Sequence, residues 1–193
     1  MKTTEEILAM SSLIPGLYSN PELESLIGLV RRLPRNACVV ELGTEYGKSG
    51  SVFLQLQEEF NLDITFIDIR VGDHRAESLR VFNEVSAPYK GWEGHWVLSE
   101  SIDWWYKPIH LLHIDSEHSN EAVTRDLAQW GPWIVPQGIV VLHDYDRTAP
   151  DGEKIFPGFT AKCVDDLFKG KEWAPLGVVD TQIAFRRTTR GNV

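Results

Sequence analysis

The chain is short of cysteine, of basic charge and of long apolar runs. Two cysteines among 193 residues cannot build a disulfide framework, so the fold must rest on a buried core, and Cys38 and Cys163 are expected as reduced, partly buried thiols. Nowhere do about 20 apolar residues follow one another, and the first residues carry no apolar stretch before a small-residue cleavage site. Neither membrane spanning nor export is expected, and the compartment is read as cytoplasmic. Lys and Arg number 19 against 28 Asp and Glu, a formal net charge of -9. Diffuse electrostatics of that sign argue against nucleic acid or an anionic membrane as partner. Internal repeats, low-complexity linkers and the three-glycine dinucleotide fingerprint are also absent.

What remains is an ordinary globular mixture, 42% hydrophobic and 24% charged, with length for one substantial core. Thr3 and Glu6 have capping-box spacing, and Asn20 with Pro21 starts a second helix whose apolar face is Leu23, Leu26, Ile27, Val30 and Leu33, ended by Pro34. Residues 1–36 are therefore read as an N-terminal helical cap or substrate-facing appendage, with packing and no catalytic role as the favoured reading, and 37–193 as the core. The core alternates. Strands are predicted at 37–42, 63–68, 96–98, 109–115 and 138–144, with helices at 49–60, 75–86, 121–130 and 159–168 between and after them. Strands at 173–179 and 182–187, joined by a tight turn at Asp180, close the chain as an antiparallel pair. The fold class is α/β, a mostly parallel seven-stranded sheet with an antiparallel final strand and helices on both faces.

Ligands of open parallel sheets bind beyond the C-terminal strand ends. The first such end carries Glu41, Gly43, Thr44, Gly47, Lys48 and Ser49. Its glycines permit a tight turn and close ligand approach, and its backbone N–H groups can receive a carboxylate or phosphate. The second strand ends in Asp68, placed to accept from ribose hydroxyls of a nicotinamide cofactor or of S-adenosylmethionine alike. Ser99, Glu100 and Ser101 offer polar contacts at an adenine edge, and Trp104 and Trp105 could cover the base or merely anchor the next helix.

The fourth strand delivers Asp115 and, three residues on, His118; the fifth delivers His143 and Asp144. Carboxylates at the ends of adjacent parallel strands can converge on Mg²⁺, with Mn²⁺ or Ca²⁺ as alternatives. His118 is a candidate proton acceptor, or else a helix cap. Strand alternation would point His143 and Asp144 to opposite faces, so both reach one metal only if the chain bends there. Asp146 is a further acid on that loop. His110 and His113 read as structural.

Taken together, these motifs resemble class I S-adenosylmethionine-dependent methyltransferases. The carriers are Glu41, Gly43 and Gly47, then Asp68, then 114–118, Asp126, Leu127 and Trp130, then 136–145, with 157–159 and Asp165 beyond. The nearest branch is that of cephalosporin-hydroxylase-like proteins and the macrocin and mycinamicin sugar O-methyltransferases. The resemblance implies a Rossmann-like sandwich with S-adenosyl-L-methionine (SAM) as cofactor, bound by Glu41, Gly43, Thr44, Gly47, Ser49, Asp68, Ser99, Glu100 and Asp115. It implies metal ligation by Asp115 and Asp144, with His143 as a further candidate, and catalysis by His118, Asp115 and Asp144. The implied partner is a small-molecule hydroxyl acceptor such as a natural-product sugar or phenol, and homo-oligomerisation stays open. Two departures stand out: Gln137-Gly138 replaces a Gly-Gly pair, and Tyr145 stands where catechol-type relatives have an amide ligand. The competing readings are a dinucleotide-dependent oxidoreductase, an RNA or DNA methyltransferase, and a non-catalytic cofactor-binding module.

Overall fold

The computed structural model describes residues 2–69, 75–145, 161–170 and 172–188. Asp146, His74 and the 157–159 motif lie outside them. Two short helices come first, α1 (Thr4–Ser11) and α2 (Asn20–Val30), each opened by a complete capping box, Thr3 with Glu6 and Ser19 with Glu22. The second cap falls on Ser19, one residue before the predicted start, because its hydroxyl reaches the Glu22 N–H while Asn20 and Pro21 occupy the first turn.

The core then alternates β1 (Cys38–Leu42), α3 (Gly50–Phe60), β2 (Asp63–Ile67), α4 (Arg75–Ser86), β3 (Trp92–His95), β4 (Ile109–Ile114), α5 (Asn120–Trp130) and β5 (Ile134–Leu142), followed by α6 (Ala161–Phe168), β6 (Trp173–Val179) and β7 (Gln182–Arg187). The seven strands lie in the order β3-β2-β1-β4-β5-β7-β6, with β7 antiparallel to both neighbours and the other pairs parallel. This is the fold class expected, a class I methyltransferase-type Rossmann-like sandwich. Strands β1 and β4 are covered on both faces, which accounts for their unbroken apolar runs.

Two local departures from expectation have physical causes. The third strand is 92–95 rather than 96–98: Trp92 packs edge-on against Phe66 and Phe82, which fixes the register of this edge strand. Val97 and Leu98 remain exposed. Strand β5 begins four residues early and carries an irregularity, since Ile134 pairs with Ile109 and Ile139 with Leu111. Gln137 takes φ 67 there, a backbone state glycine adopts more cheaply, and a Cβ on Gly138 would stand 2.8 Å from the Val135 carbonyl oxygen. One residue of the familiar Gly-Gly pair is thus sterically required, and the other is replaced at a backbone cost.

Two buried clusters fill the faces. Leu23, Leu26, Ile27 and Val30 of α2 pack with Val52, Phe53 and Leu56 of α3 and with Leu111 and Val141 of the sheet, so residues 1–36 share the core's own apolar cluster. The other face holds Trp105, Val123, Trp130, Phe168 and Phe185. No described helix is long and apolar enough to cross a membrane.

Candidate active site

A cleft of about 500 Å³ opens beyond the C-terminal ends of β1, β2, β4 and β5. Its floor is the glycine loop. Gly43 takes φ 83, and a Cβ added to it would stand 2.1 Å from the Asp115 carbonyl oxygen, so glycine alone lets the β1 and β4 ends meet. Asp68 Oδ2 accepts from the N–H groups of Thr44 at 2.8 Å and Glu45 at 2.9 Å and from the Thr44 hydroxyl at 3.2 Å. The acid expected at a ribose is therefore also the clamp of the loop. Apolar Ile69, Val97 and Leu98 form the adjoining wall with Ser99 and Glu100.

Of the residues predicted to hold a cofactor, Gly43, Thr44, Ser49, Asp68, Ser99, Glu100 and Asp115 line this cleft. Glu41 and Gly47 stand behind it. Glu41 is fully buried, accepting from Ser49 Oγ at 2.6 Å with His113 Nδ1 at 2.9 Å, and burial raises its pKa against the lowering effect of His113. Gly47, at φ 86, turns the chain against Phe82. Trp104 and Trp105 do not reach the cleft; Trp105 is buried and donates to the Lys107 carbonyl, and Trp104 rests edge-on against His95. Ser99 and Ser116 both donate to the buried Asp126, at 2.7 Å each, which ties the turn at Ser99 to the end of β4.

The opposite end of the cleft gathers the acids and histidines. One ligand atom each from Asp115, His143 and Asp144 lies within 4.8 Å of the others. The bend that this convergence needed is present: β5 ends at Leu142 and Asp144 takes φ 64, swinging its carboxylate to the side of Asp115. His143 Nδ1 stands 3.1 Å from Asp115 Oδ1 and 3.6 Å from Asp144 Oδ1. His118 Nδ1 lies 3.3 Å from Asp144 Oδ2, just before the N-cap Ser119 of α5. Tyr145 packs against the apolar cluster instead, and the side chain whose donor atom converges with those of the two acids is His143.

Residues that the sequence reading did not assign to the site complete this end. Tyr18 stacks on His143 with centroids 3.9 Å apart, and its hydroxyl lies 2.5 Å from His113 Nε2. Burial, followed by the fields of Asp115 and Glu41, holds the Tyr18 phenol well above its ordinary pKa. Glu22 and Thr181 meet His143 from behind. Burial pushes the His143 pKa down, but Asp115, Asp144 and Glu22 override it and raise the net value. The signal for Glu22 was only its place in a capping box.

Residues 40–145, more than half of the chain, match the family described as Methyltransferase domain. The chain belongs to this family. It is a SAM-dependent methyltransferase, and its described fold is that of class I. Among solved structures it is similar to an rRNA methylase from Streptococcus thermophilus (10% identity, TM-score 0.61, covering 90% of this chain and 100% of that one). It is similar also to a candidate methyltransferase from Streptococcus mutans in complex with SAH (12%, TM-score 0.61, 89% and 99%). A third likeness is to a Staphylococcus aureus protein named as a candidate caffeoyl-CoA O-methyltransferase (14%, TM-score 0.63, 98% and 93%). At these identities the likenesses establish the fold alone.

They nevertheless correct one expectation. Net charge was taken to argue against nucleic acid, yet this same architecture, matched along its whole length, occurs in an rRNA methylase. A formal charge of -9 sums the whole surface, whereas binding depends on the local potential where the ligand lies. Net charge therefore does not count against nucleic acid as a partner.

Proposed function

We propose that this methyltransferase moves the methyl group of SAM to a hydroxyl oxygen placed beside Asp115, Asp144 and His118. The observation that carries the reading is the convergence of Asp115, His143 and Asp144 on the wall of the cleft floored by the glycine loop, with His118 adjoining Asp144. Gly43, Thr44, Ser49 and Asp68 hold the cofactor's amino-acid and ribose portions, and Ile69, Val97 and Leu98 with Ser99 and Glu100 border its base. Residues 37–193 form the catalytic core, and the N-terminal segment supplies the acceptor-side wall through Leu17 and Tyr18.

The donor set of two carboxylates and one imidazole suits a divalent cation of the Mg²⁺ or Mn²⁺ kind. Asp115, Asp144 and His143 would hold it, and when bound it supplies Lewis acidity that lowers the acceptor hydroxyl's pKa. The protein's own part is alignment and proton removal. The acceptor oxygen forms a bond to the methyl carbon as the carbon–sulfur bond breaks, its electron pair stays on sulfur, and the sulfonium charge is lost. His118 takes the hydroxyl proton, and Asp144 beside it stabilises the resulting imidazolium.

The acceptor class we favour from the 115–118 and 143–144 pattern is a sugar or phenol hydroxyl, as in the metal-dependent sugar O-methyltransferase branch. A second reading, methylation of RNA, is supported by the fold shared with the rRNA methylase. Calorimetric titration of SAM, without and with Mg²⁺, followed by transfer of labelled methyl to a panel of sugars, catechols and structured RNA, tests both. Label on a hydroxylated small molecule, lost with EDTA and in Asp144→Asn, is the expected result. Label on RNA alone replaces the acceptor, and transfer insensitive to EDTA removes the cation.

A further inference from the structure

The N-terminal helices look like a cap, yet one of their carboxylates reaches the catalytic end of β5. Glu22 is 2% exposed. Its Oε1 accepts from the Thr181 N–H at 2.8 Å and the Thr181 hydroxyl at 2.7 Å, and its Oε2 accepts from the Ser19 N–H at 2.8 Å. The same Oε2 stands 3.4 Å from His143 Nε2, and Thr181 Oγ1 stands 3.3 Å from that nitrogen. Tyr18 covers one face of the imidazole, with rings 18° from parallel.

The ring is thus held from two places distant in sequence, by Tyr18 and Glu22 at the start of α2 and by the β6–β7 turn. Its Nε2 edge and one face are engaged, and Nδ1 is aimed at Asp115 and Asp144. A helix cap needs only the Ser19 contact, and a turn clamp needs only Thr181. Neither explains why this carboxylate also faces the imidazole.

We propose that Glu22 is the positioning residue for His143: with Thr181 it anchors Nε2 and so presents Nδ1 to the Asp115–Asp144 pair. The proposal rests on the reading of that trio as the acceptor and cation site. It makes the N-terminal helix part of the catalytic machinery. Outer-shell carboxylates of this kind fix the orientation and tautomer of a metal-binding imidazole, and their loss typically weakens metal binding by about 10- to 100-fold.

The test compares full-length wild type, Glu22→Gln and Ser19→Ala. A Gln amide can accept from Thr181 only by turning an NH₂ group toward Ser19 N–H and His143 Nε2, which reverses the polarity that the imidazole meets. Ser19→Ala loosens the helix cap but leaves the groups that hold Nε2. Two readouts are taken: the ¹⁵N and ¹H signals of the His143 imidazole in metal-free protein, and Mn²⁺ binding followed by electron paramagnetic resonance. Expected for Glu22→Gln are displaced His143 signals and Mn²⁺ affinity at least tenfold weaker, with affinity for SAH within twofold of wild type; Ser19→Ala changes neither readout. Unchanged His143 signals and Mn²⁺ affinity in folded Glu22→Gln overturn the proposal, as do equal changes in Ser19→Ala. If wild type binds no Mn²⁺, the cation reading fails separately, and the imidazole signals alone decide the role of Glu22. Should Glu22→Gln not fold, Thr181→Val removes the hydroxyl shared by Glu22 and His143 and is judged by the same outcomes.

Discussion

Replacing Gly43 by alanine should do more damage than the same change at any other described glycine. The added Cβ would stand 2.1 Å from the Asp115 carbonyl oxygen, 2.5 Å from its carbonyl carbon and 2.8 Å from Ser116 Cα. All three are backbone atoms, so no side-chain rotation relieves the clash. The φ of 83 adds roughly 1–2 kcal/mol for an L-residue in left-handed space. Overpacking of a tight interior adds about 1–3 kcal/mol more. A middle value of ~3 kcal/mol corresponds to a fall in Tm of about 6–12 °C for a chain of this size. Function should fall further, because the only relief is to part the β1 loop from the end of β4, and both border the cleft. SAH affinity by calorimetry is expected to drop more than tenfold beside the Tm loss. Gly28→Ala is the control: nothing lies within 4 Å of its Cβ in α2, so it should stabilise slightly, by up to about 1 kcal/mol. A Gly43→Ala protein with Tm within about 2 °C of wild type and unchanged SAH affinity would refute the packing argument.

Asp68→Asn loses the charge from the acceptor of three hydrogen bonds that clamp the glycine loop; charged hydrogen bonds are worth about 1.5–3 kcal/mol, so Tm should fall by about 3–12 °C and SAH affinity should weaken with the loosened loop. His118→Ala should cut single-turnover methyl transfer by roughly 10²–10⁴-fold and leave SAH affinity intact; loss of affinity instead would make His118 a cofactor contact. Burial pushes the Glu22 carboxyl up, but hydrogen bonds from His143, Ser19 and Thr181 together hold it at about 2, below the ordinary 4.5. Its contribution to stability is therefore present above pH 4.5 and is lost as pH falls toward 2. Hydrogen exchange should show the contact between α2 and the β6–β7 turn opening in that window, and protection unchanged down to pH 2 would contradict this.

The parts that were legible in sequence are those set by local rules. The Thr3–Glu6 capping box, the glycine turn after β1 and the apolar runs of β1, β4 and β5 each follow from a few neighbouring residues. The convergence of Asp115 and Asp144 followed from strand adjacency, and the alternation rule even identified the bend that His143 and Asp144 require. The third strand was misplaced because apolar residues do not always mark a strand: Val97 and Leu98 border the cleft, while 92–95 pair as an edge strand with little alternation to reveal them. Glu41 was placed on the wrong side of the wall for a similar reason. Its residue type suits a cofactor amine, but on a strand covered on both faces its side chain goes to Ser49 and His113.

What no local rule could supply is the closure between Glu22 and Thr181, 159 positions apart. That contact exists only because β7 enters antiparallel beside β5, which brings the β6–β7 turn to the same sheet end as His143. The consequence bears on how the acceptor side is built. Cofactor-side groups come from consecutive strand ends of a repeating β–α unit, and their place can be counted along the chain. On the reading proposed above, acceptor-side groups come from α2, the segment before it and the final turn, which meet at the cleft only after the sheet is complete. Substitutions at Tyr18, Glu22 and Thr181 can therefore reshape the space around Asp115 and Asp144 without disturbing the glycine loop, so acceptor choice and cofactor binding can vary separately on one fold.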